Sequence, residues 1–196
     1  MHDTSYSNMA FFVKHYLEEK SRTPLKILDI GSQDVNGTFR PLFDKPGWVY
    51  QGLDIVVGDN VDIVVKKFYH WKEVQSSSFD VAISGSALEH IEYFWITIME
   101  VARVLKPEGL FCLIVPSSGP EHKYPIDCWR FFPDGLRALA RYAFLDIIDA
   151  HLASERTIEP INADQWNDCV LIAKKMKLPF FTQMQLITKR YLLRKF

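Results

Sequence analysis

Lys26-Ile27-Leu28-Asp29-Ile30-Gly31-Ser32 is the stretch on which the reading of this chain turns. Its apolar and β-branched residues follow one another without helical spacing, so Leu25–Ile30 reads as a short buried strand. Asp29 and Gly31 close that strand and open a loop that carries Asp34, Asn36 and Gly37. A glycine there lets a ligand approach the backbone closely, and a helix starting beyond it offers free N–H groups.

Outward from this strand, apolar segments recur at Trp48–Leu53, Val61–Val65, Phe79–Ser84, Leu110–Val115, Phe144–Ala150 and Cys169–Ala173. Helical spacing is expected over Ser7–Lys20, Gly37–Phe43, Lys67–Val74, Leu88–Leu105 and Pro133–Tyr142. Continuous apolar strands alternating with helices predict an α/β chain whose mostly parallel sheet is covered on both faces. Ligands bind such sheets at the carboxyl ends of the strands, which directs attention to loops 31–37, 54–60, 66–70, 84–88 and 116–132. Asp54 ends the second strand about 25 residues after Asp29, where a carboxylate can accept both hydroxyls of a ribose.

The chain has 196 residues and a net charge of −1. That balance is uneven. Residues 174–196 hold seven basic residues and no acidic one, which leaves sixteen basic and twenty-four acidic residues, a net of −8, for 1–173. An acidic body disfavours a nucleic-acid backbone as partner. Cys112, Cys128 and Cys169 are odd in number and far apart, which argues against a disulfide framework. Met1-His2-Asp3-Thr4-Ser5 lacks the regions of a signal peptide. A cytoplasmic protein with reduced thiols is expected.

ILDIGS, YQGLDI, SFDVAISGSALEHI and VLKPEGLFCLIVP resemble, in order and spacing, the motifs of class I S-adenosylmethionine-dependent methyltransferases. The resemblance spans roughly residues 24–175. It implies a Rossmann-like seven-stranded sandwich in a domain of residues 1–178, with S-adenosylmethionine as cofactor. The family pattern puts Asp29, Gly31 and Ser32 by the methionine end, Asp54 and Ile55 on the ribose, and Lys67, Phe68 and Tyr69 beside the adenine. Ser84 and Gly85 would border the methyl group, and Ser86 the acceptor. The first loop departs from the family's D-x-G-x-G-x-G, since Gln33 and Val35 stand at two glycine positions. Gly37 is expected to supply the lost flexibility, and Asp34 or Asn36 to meet the cofactor's amino group. The G-x-G-x-x-G of nicotinamide enzymes is absent.

Methyl transfer to a hydroxyl needs alignment and a group to take the proton. Ser117–Pro133 is richest in such groups and resembles a segment of methyltransferases from bacterial surface-polysaccharide clusters. His122 is the first candidate base, and Asp127 is its orienting partner or the base itself. Arg130 could hold an anionic acceptor or form an ion pair with Asp127, while Tyr124 and Trp129 could wall a sugar. His90 is placed on the acceptor side. Glu89-His90 invites a metal reading. Some class I methyltransferases have a further carboxylate ligand three residues before this glutamate, where this chain has Ser86. Two adjacent ligands make no site without distant help, so no metal is expected.

Residues 179–196 read as a separate basic amphipathic helix, with Phe180, Phe181, Met184, Ile187, Tyr191 and Leu192 on its apolar side. It suits the chain's own domain, a second subunit or an anionic membrane surface. The expected function is O-methylation of a small-molecule or carbohydrate acceptor, the alternative a cofactor-binding scaffold or regulator with little catalysis.

Overall fold

The computed structural model describes residues 3–18, 24–155, 165–177 and 179–193. A seven-stranded sheet forms the centre, in the order β3-β2-β1-β4-β5-β7-β6. Its strands are β1 (Leu25–Ile30), β2 (Trp48–Asp54), β3 (Ile63–Val64), β4 (Phe79–Gly85), β5 (Leu105–Val115), β6 (Leu145–Leu152) and β7 (Cys169–Lys175). Strands β1 to β5 pair in parallel, and β7 runs opposite to both its neighbours, β5 and β6. Strand order reverses between β1 and β4, which places the topological switch point at the end of β1.

The inner strands are apolar on both faces because both are covered. One layer buries Leu28, Ile30, Ala82, Phe111 and Leu113 with α2 (Phe94–Val104) and α3 (Pro133–Tyr142). The other buries Ile27, Val81, Ile83, Cys112 and Ile114 under Met9, Phe12, Val13 and Leu17 of the N-terminal helix. That helix, α1 (Asp3–Phe12), continues as a π-helical stretch over Val13–Leu17; residues 19 and 20 of the expected span lie outside the described residues.

Three expected helices differ. Residues 37–43 give only a 3-10 turn, Arg40–Phe43, begun by Pro41. Lys67–Val74 folds as linked turns, because buried Trp71 turns its backbone N–H to the Glu100 carboxylate (3.0 Å) and its indole N–H to the Phe68 carbonyl (2.9 Å). The span from Leu88 splits into a 3-10 turn, Leu88–His90, and α2. Ile91 between them is extended, and the Trp129 indole donates to the carbonyls of Ile91 (3.1 Å) and Glu92 (3.2 Å).

The C-terminal helix, α4 (Phe180–Leu192), lies against α2 and α3. Leu186 packs on the core, Arg190 binds buried Glu100 through Nε (3.1 Å) and Nη2 (2.7 Å), and Lys189 Nζ stands 3.2 Å above the Tyr142 ring. Its basic groups therefore face the domain, while Met184, Ile187, Tyr191 and Leu192 are exposed. Among the described residues no helix is long and apolar enough to cross a membrane.

Candidate active site

The parallel strands β1, β2, β4 and β5 all end on one edge of the sheet, and the loops that leave them meet there. Because β7 runs the other way, the residues before it, Trp166 to Asp168, arrive at the same edge. Ser117 and Ser118 donate their backbone N–H groups to the Trp166 carbonyl, at 3.1 and 3.0 Å.

Gly31 turns the chain out of β1 at φ +74°, and a Cβ on it would stand 2.4 Å from that of Ala87. Only glycine allows this approach between the first and fourth loops. The loop without its usual glycines is held by the one after β2. Gln33 N–H donates to an Asp54 oxygen (3.1 Å), and Asp34 N–H to the Asp59 carbonyl (3.0 Å). Asn60 donates from its amide to the Ser32 carbonyl (2.7 Å) and accepts the Ser32 hydroxyl on its own carbonyl (3.1 Å). The other Asp54 oxygen accepts Ile55 N–H at 2.7 Å. Asp34 accepts Gly37 N–H (2.7 Å), a local turn. Asn36 and Ile55 lie exposed on this rim.

Asp29 is buried beneath the loop and accepts the Tyr50 hydroxyl. Burial pushes its carboxyl up to about 7, against the pull of the Tyr50 hydrogen bond. Ser84 is fully buried and donates to the Ile30 carbonyl (2.8 Å), which ties β4 to β1. Gly85 leaves room for the Phe39 ring, 2.5 Å from where a Cβ would stand. Ser86 adopts φ +52°, and its backbone N–H meets the Ile114 carbonyl at 2.9 Å. Lys67 and Phe68 are exposed, and Tyr69 packs on Tyr93.

The second half of the site is built on the loop after β5. Asp127 is nearly buried and receives both terminal nitrogens of Arg130, at 2.6 and 2.8 Å. This bidentate clamp holds its carboxyl well below the usual carboxylate range. Arg130 also donates to the carbonyls of Trp129 and Pro120, both at 2.8 Å. The guanidinium is thus occupied in shaping the loop. Asp127 accepts His122 N–H (2.8 Å) and lies 3.3 Å from His122 Nδ1. The His122 ring stands edge-on to Trp166 and to His90. Tyr124 is exposed and Trp129 partly so.

Sequence reasoning weighed Glu89 only as half of the Glu89-His90 pair and passed over its setting. Glu89 is fully buried, and neither carboxylate oxygen meets a donor from another described residue. Burial pushes it up to about 8. His90 Nε2 lies 3.8 Å and His122 Nε2 3.9 Å from its Oε1. His90 Nδ1 is 2.5 Å from the Ile126 carbonyl, which fixes its tautomer, and burial lowers its basicity. Trp166, Tyr50 and Asn60 were also passed over. Trp166 could not be found without the direction of β7, whereas Asn60, inside the loop after Asp54, offered a signal.

Residues 45–113 match the family model described as a methyltransferase domain. No curated protein matches the chain. Among solved structures it is similar to a Burkholderia thailandensis 1,6-didemethyltoxoflavin-N1-methyltransferase with bound 1,6-didemethyltoxoflavin and S-adenosylhomocysteine, at 19% identity and TM-score 0.66, over 89% of this chain and 80% of that one. It is similar to a Methanosarcina mazei S-adenosylmethionine-dependent methyltransferase, at 19% identity and TM-score 0.63, over 84% of this chain and 97% of that one. The [4+2]-cyclase SpnF shares the fold too, at 16% identity and TM-score 0.61, over 87% and 81%. Strand order and the reversed β7 give this chain the fold of these methyltransferases, and the methyltransferase-domain match covers β2 to β5 within it.

Proposed function

We propose that this methyltransferase moves the methyl group of S-adenosylmethionine onto a hydroxyl oxygen of a small acceptor, with carbohydrate as the acceptor class. In such a transfer the oxygen attacks the methyl carbon as the carbon–sulfur bond breaks. The hydroxyl proton leaves, and S-adenosylhomocysteine departs neutral. The cofactor brings the reactive carbon, so the protein supplies alignment and a destination for the proton.

The supporting observation is the cluster of Glu89, His90 and His122, whose nearest pairs are 3.8 and 3.9 Å apart. It is joined through Ala87 to the loop at Gly31. His122 is its most open member and takes the part of the base. Asp127, committed to Arg130, is a positioning residue for His122. Tyr124 and Trp129 offer flat apolar faces of the kind that stack on sugar rings. For the cofactor, Asp54 is offered to the ribose, Asp29 and the loop 31–37 to the methionine end, and Lys67 and Phe68 to the adenine rim.

Incubation with methyl-labelled S-adenosylmethionine and a panel of sugars and phenols, read by mass spectrometry, tests this. A labelled methyl ether on a sugar is the expected product. The fold is shared by a protein named for a different reaction, a [4+2]-cyclase, and this favours a second reading, in which the present chain binds cofactor without methylating. Binding without a methylated product from any acceptor would select that reading.

A further inference from the structure

We propose that Glu89, His90 and His122 form a site for one divalent transition-metal ion of the zinc class. The proposal deepens the methyl-transfer reading and rests on it for the ion's purpose, though not for its binding.

Three observations carry it. First, one donor atom from each of Glu89, His90 and His122 lies within 4.8 Å of the other two. Small side-chain movements would bring two imidazole nitrogens and a carboxylate oxygen around one ion. Two histidines and one glutamate are the ligand set of catalytic zinc sites that keep a position open. Nitrogen donors also favour transition metals over magnesium or calcium.

Second, Glu89 is 0% exposed and aims a carboxylate without a hydrogen-bond donor from another described residue toward both imidazoles. A buried polar group left in this way is costly. A cation between the three side chains removes that cost.

Third, the groups behind the ligands are those of a metal site. Metal-bound histidines usually direct the far ring nitrogen at a carbonyl or carboxylate, which fixes the tautomer and ring orientation. His90 Nδ1 meets the Ile126 carbonyl at 2.5 Å. His122 Nδ1 lies 3.3 Å from Asp127, itself held by Arg130 at 2.6 and 2.8 Å. Both rings thus present Nε2 to Glu89. Ser86 stands where a further carboxylate could have been, and the third ligand comes instead from His122, in the loop after β5.

The ion gives the proton step a different agent. An acceptor hydroxyl bound at the open position has its proton made more acidic by the metal. The proton passes to solvent, the oxygen takes the methyl group, and the ion is unchanged. With the ion present His122 is a ligand, and without it the base.

The test uses the full chain, stripped with a chelator and titrated with Zn2+ by calorimetry, with Co2+ followed by its visible absorption. Wild type is expected to bind one equivalent. Glu89→Gln and His122→Ala should each weaken binding about 100-fold, the scale at which even supporting residues of a metal site act. His122→Ala is the safer variant because its side chain is 31% exposed, and thermal melts would verify folding. Equal Zn2+ affinity in wild type and both variants would overturn the site, as would Mg2+ competing at equal concentration. S-adenosylmethionine is titrated into the same stripped sample. Cofactor binding without metal binding sinks the metal site alone, and metal binding without cofactor binding sinks the methyl-transfer reading alone.

Discussion

Gly31 is the residue at which the fold and the cofactor loop depend on each other. Its φ of +74° suits glycine, and an added methyl would stand 2.4 Å from Ala87 Cβ. Gly31→Ala is expected to lose ~1–2 kcal/mol from backbone strain, more from the clash, and with it cofactor affinity. Urea unfolding and calorimetry would measure both; unchanged values would show that the loop relaxes freely. Asp29 makes a prediction about pH. Its folded pKa of about 7 lies above the ordinary 3.8, so between these values the folded state holds a proton that the unfolded chain has lost. Asp29 therefore removes stability as pH rises from about 4 to 7. Asp29→Asn should flatten that slope, read by urea unfolding at pH 5 and 8; an unaltered difference would contradict the burial argument. For His122→Ala a fall of ~10²-fold or more in methyl transfer is expected, with cofactor affinity kept. Wild-type turnover would remove His122 from the chemistry. Of these residues, Asp29 and Gly31 could be placed from the sequence because they close a strand, and His122 because it lies in the loop after one. The setting of Glu89 could not be placed, because its partner lies 33 residues away and only the fold brings them together.

At the scale of elements, strand positions were readable to within a few residues, except that β5 begins at Leu105 and takes in the Lys106-Pro107 turn. Buried parallel strands are continuous apolar runs, and nothing else in this chain looks like them. Helices were harder. The span from Leu88 has helical spacing throughout, yet a distant indole takes the carbonyls of Ile91 and Glu92 and stops it. That tertiary contact also creates the bend that aims Glu89 and His90 inward. Helix α4 has its charges on the side away from water. Glu100, 3% exposed, gathers Arg103, Arg190 and Trp71 N–H around one carboxylate. Burial alone would raise its pKa, but the two arginines outweigh burial and hold it below its ordinary 4.5. Its stabilisation is present above that value and fades as pH falls through the lower, folded one. Arg190→Ala should cost ~2 kcal/mol, since Arg103 still covers Glu100, and loosen α4, seen as faster amide exchange in 180–193. Exchange unchanged from wild type would show that Leu186 and Lys189 hold the helix unaided.

For the whole molecule, the decisive property is that six strand ends and one strand start share an edge. The direction of β7 could not be read from periodicity, and it brings Trp166 beside His122. The exposed residues Met184, Ile187, Tyr191 and Leu192 on α4 keep open a contact with a second subunit or an anionic membrane, but the basic groups expected to draw such a membrane are turned inward in Lys189 and Arg190; residues 194–196 lie outside the described residues. In the altered glycine loop, Gln33 and Val35 must leave a path over Gly31 for a bound cofactor. Calorimetric titration of the chain with S-adenosylmethionine tests this most directly. The account predicts one site with affinity in the micromolar to sub-millimolar range usual for enzyme substrates, weakened by Asp54→Ala. No heat of binding at millimolar cofactor would contradict it.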